Sequence, residues 1–463
     1  MHGTGPGRWP TSAASARPTR RQFAALAAAS VAGSVTACGS DTRSPNTPDG
    51  VLSGDLLVWT SFTQGPRAEW MQQMARAFES AHPDVRVTIE TFSWPDFYTK
   101  WTMGLAAGQV PDLSSALPTH VAELLDVDAL VPLDDVIDQI GRDRFAAAAL
   151  AEGEMGGANY SMPLYTHAQV MWYRTDLLDQ AGLEVPSTWE ELRHAAEVLT
   201  TDDVYGLSVP MGSGDMMATR FLNYYVQSAG DRLLNDDGSA NLTSQAVLDG
   251  IAYWVDMYHT VSPEGSINYD VLQQATLYYE GKTAFDFNSG FQISGVQQSS
   301  PELVEYVAAA PLPRLNDNDS LYGGETSNTP MIVWEASDMQ EEAKAFLRSL
   351  YQTEEYIEFL HSVPGGMLPA LSDISDDPGY LDDPVLEQFA DTVEVIDEAV
   401  PLGTAIGMEN GPTVQASILT SQGIVERLFQ DIVLTGTPVP EAAQAAEEQL
   451  NSLFEMAGVE MEH

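Results

Sequence analysis

The sequence predicts an α/β fold built as two domains, and three observations carry that expectation. A strand–helix–strand unit opens the folded part, strands and helices alternate early while helices dominate the last third, and the chain is too long for one hydrophobic core. Asp55-Leu56-Leu57-Val58-Trp59 reads as the first strand. Arg67 to Ser80 follows as a helix, because Trp70, Met74, Ala77 and Phe78 recur at i, i+4, i+7 and i+8, and His82-Pro83 stops it. Val85, Val87 and Ile89 alternate, so a second strand completes a βαβ unit.

The remaining elements follow the same logic. Asp96 to Ala107 is expected as a helix ended by Gly108, Pro111-Asp112-Leu113 as a strand end, and Val121 to Leu125 as a short helix closed by the loop Val131-Pro132-Leu133. Tyr160 to Tyr173 is β-rich with few charges and fits a buried strand crossing between lobes. Thr188 and Glu191 form a capping-box pattern for a helix with the stripe Leu192, Ala195, Ala196 and Leu199. Gly206 to Val209 reads as a strand, Gln245 to His259 as an amphipathic helix, Lys282 to Phe287 as a short strand, and Val304 to Ala310 as the lead into a polar loop. Ser337 with Gln340 predicts a second capping box, opening a helix that buries Ala343, Phe346, Leu347 and Leu350.

Ahead of the fold, Arg20-Arg21-Gln22-Phe23 precedes an alanine-rich run from Ala24 to Ala37, and small residues lead into Cys38, the only cysteine. The run is shorter than the about 20 residues that span a bilayer, so residues 1–37 read as an export segment. The arginine pair resembles a twin-arginine export signal, and Val35-Thr36-Ala37-Cys38 resembles the lipobox of bacterial lipoproteins, whose cysteine carries lipid. That resemblance implies a protein held by lipid at the outer face of the cytoplasmic membrane. Residues 38–54, rich in Ser, Pro, Gly, Asp and Thr, read as a flexible tether. With Cys38 modified, no thiol remains for disulfides, thiolate metal sites or cysteine nucleophiles.

Removing the first 37 of 463 residues leaves 426, with 16 basic against 67 acidic side chains, a balance of −51. Such a field repels nucleic acid and anionic lipid. It also disfavours an anionic ligand unless arginines cluster locally, and the sequence displays no such cluster, so a neutral or cationic small molecule is expected. The acidity by itself is equally what keeps an extracellular or salt-adapted protein soluble.

Several stretches, in order along nearly the whole mature chain, are similar to the extracellular solute-binding proteins of ABC importers, the family that includes maltose-binding protein. They are Met162-Pro163-Leu164-Tyr165, Tyr173-Arg174-Thr175-Asp176-Leu177-Leu178, Pro186-Ser187-Thr188-Trp189-Glu190-Glu191-Leu192, Gly281-Lys282-Thr283-Ala284-Phe285 and Gly365-Gly366-Met367-Leu368-Pro369. Arg174 stands where the family usually has Asn. The resemblance implies a two-lobed periplasmic-binding-protein fold of type II, each lobe a β-sheet flanked by helices, with hinge strands between. It places lobe I at 55–164 with 314–371, and lobe II at 165–313 with 372–463. It implies a monomer that closes on a mono- or oligosaccharide and presents it to a membrane permease, needing no cofactor.

A sugar offers an apolar C–H face and a rim of hydroxyls, so a cleft should supply aromatic planes and polar side chains from both lobes. Loops after strand ends are the places to look. After the first strand stand Trp59 and Phe62, with Trp59 equally suited to the core, and after the second stands Trp94, as fit for domain packing as for stacking. The next loop holds Thr119 and His120, and the crossing strand holds Tyr165 and His167; either histidine is also suited to a structural role. Asp215 fits a hydroxyl acceptor or a helix N-cap. Asn288 and Phe291 follow a strand, and Phe291 is the nearest aromatic to the place where relatives put a stacking tryptophan. Glu325, Met408 and Glu409 complete the candidates, by the resemblance. The competing readings are a surface-anchored carbohydrate-active enzyme, a metal binder and a binder of some other solute. Acidic pairs are too numerous to point to a glycosidase, no nucleophile elbow, HExxH or P-loop occurs, and the eight histidines lack ligand spacing.

Overall fold

Residues 51–63 and 65–458 are described by the structure, a computed structural model. The export segment, Cys38 and most of the expected tether lie outside the described residues. Strand β1 (Gly54–Thr60) pairs in parallel with β2 (Val85–Thr91) and with β3 (Leu113–Ser115). Helix α1 (Gly65–Ala81) links β1 to β2, which realises the βαβ unit read from the periodicity, and buries Trp70, Met71, Met74, Ala75 and Phe78. Helix α2 (Trp94–Ala107) ends at Gly108 as expected, and α3 (Pro118–Asp126) starts three residues before its sequence-based estimate because Pro118 suits a first helical turn.

A small hairpin, β4 (Glu154–Met155) and β5 (Ala158–Asn159), precedes the long strand β6 (Met162–Ala168). Gln169 alone separates β6 from β7 (Val170–Arg174), yet the two strands belong to different sheets. The first sheet has the order β2-β1-β3-β10-β6, where β10 (Thr326–Val333) runs antiparallel to both neighbours. The second sheet is antiparallel, with β7 between β8 (Phe285–Asn288) and β9 (Val307–Ala310). Chain crossings therefore occur at Gln169 and in the segment before β10.

Each sheet has its own core. Leu56, Val58, Trp70, Leu113 and Phe346 pack on one face of the first sheet, and Trp59, Phe97, Trp101 and Trp334 on the other. Trp189, Phe221, Trp254 and Phe287 anchor the second. Helix α4 (Trp189–Leu199) carries the capping box read from the sequence: Glu191 N–H donates to Thr188 Oγ1 at 3.2 Å, and Thr188 N–H donates to the Glu191 carboxylate at 3.2 Å. Thr188→Ala is expected to lower stability by about 1 kcal/mol, read as a shift of the urea midpoint with an unchanged slope.

Two local expectations need correction. Gly206–Val209 is not a strand: it bends away after the single Tyr205–Thr283 bridge, and the Val209 N–H is taken by Ser262 Oγ at 2.9 Å. The Ser337 capping box does not form. Its hydroxyl donates to Asp112 Oδ1 at 2.6 Å, and the helix α8 begins only at Gln340, counting α5 (Met217–Ser228), α6 (Gln245–Val261), α7 (Phe291–Ser299) and α8 (Gln340–Ser349) in order. Late in the chain, α9 (Val414–Ser421), α10 (Ile424–Thr435) and α11 (Val439–Met456) pack on the second core. Helix α9 also meets α3 of the first lobe, where Ser417 Oγ donates to Glu123 Oε2 at 2.7 Å.

Candidate functional site

Parallel pairing aligns the carboxyl ends of β1, β2 and β3, with Thr60 opposite Thr91 and Trp59 opposite Ser114. Side chains following those strands therefore converge on one edge, the place where open α/β sheets receive ligands. Trp59 and Phe62 lie there but are only 3% and 0% exposed, so their rings floor the edge. Trp59 meets Phe92 edge-to-face at 5.4 Å, and half-buried Trp94 lies 5.5 Å from Phe97. Thr119 and His120 are buried in the first turn of α3, with His120 edge-on to Trp101 at 4.9 Å.

The crossing strand brings the second half of the site against this edge. Tyr165 on β6 is 6.5 Å from Phe62 and 6.4 Å from Phe291, between ring centroids. His167 lies opposite Ser327 of β10, 6.2 Å from the Tyr165 ring. Gln169 N–H donates to the carbonyl of Glu325 at 3.0 Å. Burial drives the His167 pKa down to about 4; Glu325 opposes this, and Arg220 and Arg67 reinforce it, so the imidazole is neutral at physiological pH. Phe62, Tyr165, His167, Phe291 and Glu325 are thus brought together.

Residues that the sequence reading did not single out complete the group. Arg220, on α5, grips the Glu325 carboxylate through Nε and through Nη2, the latter at 3.1 Å. One turn on, Tyr224 packs against Gly324, which holds φ +58° and whose added Cβ would meet the Tyr224 ring at 2.9 Å. Only a glycine allows that approach together with that backbone. Glu152 accepts from Asn328 Nδ2 at 2.5 Å, and burial pushes its carboxyl up to about 7. Arg67 lies 5.1 Å from the Phe62 centroid and 5.1 Å from that of Phe291. The i, i+4 spacing of Arg220 and Tyr224 was the available clue to one shared helix face.

The other candidates make protein contacts of their own. Asp215 accepts from Met216 N–H at 2.7 Å and from Val271 N–H at 3.0 Å, joining two loops. Asn288 Oδ1 accepts from Ser289 N–H at 2.9 Å. Met408 is buried against Ala405 and Ala416, and Glu409 accepts from Gln227 Nε2 at 3.2 Å.

Four buried polar atoms around the assembled group have no hydrogen-bond partner: Ser61 Oγ, His167 Nδ1, Gln169 Oε1 and Tyr224 Oη. Each is expensive to leave unsatisfied, at about 1–3 kcal/mol. Together they offer donors and acceptors beside aromatic rings, suited to hydroxyl groups on a ring with apolar faces. Among the described residues, no group of three or more His, Cys, Asp or Glu is placed to hold a metal ion, and no helix is long and apolar enough to cross a membrane.

A family model described as bacterial extracellular solute-binding protein matches residues 64–357. The chain belongs to this family. The maltotriose-binding protein of Pyrococcus abyssi is 22% identical over 384 residues, covering 82% of this chain and 78% of its own. Two solved structures share the fold at 20% identity, each covering 87% of this chain and 100% of its own. One is an ABC transporter solute-binding protein from Thermotoga lettingae bound with α-D-tagatose, at a TM-score of 0.74. The other is from Agrobacterium radiobacter in complex with ribitol, at 0.75. The architecture is accordingly the two-lobed α/β fold of periplasmic binding proteins, as the sequence resemblance implied, and this family is one of transport rather than of enzymes.

Proposed function

We propose that this solute-binding protein takes a mono- or oligosaccharide between its lobes and delivers it unaltered to the permease of an ABC importer. It works as a monomer, held outside the cell by lipid on Cys38 after export through the twin-arginine signal. The observation that carries the sugar reading is the set of unpartnered buried polar atoms, Ser61 Oγ, His167 Nδ1, Gln169 Oε1 and Tyr224 Oη, beside the Tyr165 and Phe291 rings. A hydroxylated ring would satisfy those atoms and cover the aromatic faces at once. The crossing at Gln169 and the α3–α9 contact supply the two things closure needs, a hinge and surfaces that meet. Two carboxylates of the assembled group are committed, Glu325 to Arg220 and Glu152 to Asn328, which favours binding over glycoside hydrolysis.

Thermal-shift screening of the full chain against neutral sugars and polyols tests the reading. A cognate sugar at 100 times its Kd should stabilise the protein by about 2.7 kcal/mol. No shift with any sugar, or turnover of a glycoside by the purified protein, would overturn it. Within the same reading, Phe291→Ala should weaken the cognate sugar by about tenfold, from loss of one stacking face. Calorimetry showing unchanged affinity would remove Phe291 from the site.

A further inference from the structure

Arg67 and Lys100, both half-buried, make neither a hydrogen bond nor an ion pair among the described residues. Of the other cations, Arg144, Arg174, Arg220 and Lys344 sit on carboxylates, whereas Arg76, Arg86 and Lys282 make no ion pair among the described residues. Arg67 and Lys100 fall on the edge described above. The Arg67 guanidinium lies over Phe62 and Phe291, and Lys100 Nζ lies 5.1 Å from the Trp59 centroid and 5.0 Å from that of Phe92. Asp96, one helical turn before Lys100, is taken by Ser93 Oγ at 2.6 Å.

The rings orient these cations without using up their N–H donors. The acid whose field reaches His167 together with that of Arg67 is Glu325, and Arg220 already neutralises it. The edge thus carries two cations, Arg67 and Lys100, to which no carboxylate is bound. Net charge, with no arginine cluster in the sequence, gives no sign of such a pair. Arg67 and Arg220 stand 153 positions apart, yet both act on His167. Cations without a carboxylate are what an anionic ligand needs in order to enter against the field of so acidic a chain. A planar guanidinium with paired donors suits a carboxylate.

Resting on the sugar-binding reading, we propose that the ligand is an acidic sugar, a uronic acid or a short chain of them, whose carboxylate binds the Arg67 guanidinium while Lys100 adds positive field along the same edge. Calorimetry on the full chain with matched probes tests this: glucose against glucuronate, galactose against galacturonate, with digalacturonate and glucose 6-phosphate alongside. At least one uronate should bind about tenfold or more tighter than its neutral counterpart, and the advantage should shrink between about 50 and 500 mM NaCl. Arg67→Gln should bring the ratio of the two dissociation constants to within about twofold of one, and Arg67→Lys should retain part of it. Neutral sugars binding as tightly as the uronates would overturn the acidic-sugar inference while leaving sugar binding intact. Glucose 6-phosphate binding more tightly than glucuronate would overturn it in favour of a phosphate ligand. Binding of none of these and of no sugar in the neutral panel would overturn both readings.

Discussion

Arg220→Met is expected to lower folding stability by about 3–5 kcal/mol, the largest effect of a single substitution foreseen here. The Arg220 and Glu325 side chains are 12% and 3% exposed, and the guanidinium holds both carboxylate oxygens. Methionine would leave Glu325 in the same place with its charge unanswered. A buried carboxylate in that position takes up a proton, so the loss should be greater at pH 8 than at pH 5. Urea unfolding followed by tryptophan fluorescence measures both values. The double variant Arg220→Met with Glu325→Leu should recover most of the loss, because an apolar pair of similar volume replaces the ion pair. A cost below about 1 kcal/mol for the single variant would mean that the pair does not hold the crossing segment to α5.

The second large effect is an inverted pH dependence of stability. Asp286 accepts from Gln274 and Gln292 side-chain amides, and Glu426 accepts from Thr219 N–H and Oγ1; burial pushes each carboxyl up to about 7. Both are essentially inaccessible to water, at 1% and 0% exposure. Their folded pKa values lie above the unfolded ones, so between those values the folded state binds more protons. Stability is therefore full below the unfolded pKa and declines as pH rises through about 7. From pH 5.5 to pH 7 each group accounts for a decline of at most about 2 kcal/mol. His167 acts in the opposite sense. Its pKa is lowered to about 4, so its contribution is lost as pH falls below the ordinary histidine range. With Glu152 also raised to about 7, three carboxylates stand against one histidine, and self-repulsion among 67 acids eases in acid, so the melting temperature should rise by several degrees from pH 8 to pH 6. Asp286→Asn and Glu426→Gln should each flatten that slope. A melting temperature that is constant or falls over this range would contradict the assignment.

Elements governed by near neighbours were legible. The i, i+4 apolar spacing from Trp70 to Phe78 became α1, and Thr188 with Glu191 became a formed capping box, since both depend on contacts within a turn or two. Ser337 with Gln340 carried an equally good local pattern and failed: the Ser337 oxygen accepts from Met339 N–H at 2.9 Å, its hydroxyl donates to Asp112, 225 positions away, and the helix begins only at Gln340. The same division runs through the site. Tyr165 and Phe291 were legible as residues at or after strands, where side chains meet a cleft. Asp215 had the same local credentials, but its carboxylate closes two loops instead. Arg67 sits within a helix pattern whose signal comes from its apolar neighbours, so nothing local marked it.

By itself, the sequence determined the α/β class, the order of its elements and the family. The class and the order follow from periodicity and the family from the resemblance of short motifs, all properties of a chain read a few residues at a time. The tertiary structure alone decided which charges cancel. It joined Arg220 to Glu325 across 105 positions and left Arg67 and Lys100 over aromatic rings without a carboxylate. Net charge is a sum over the whole chain, whereas a ligand meets the field within a few ångströms, and that field depends on distances the fold creates.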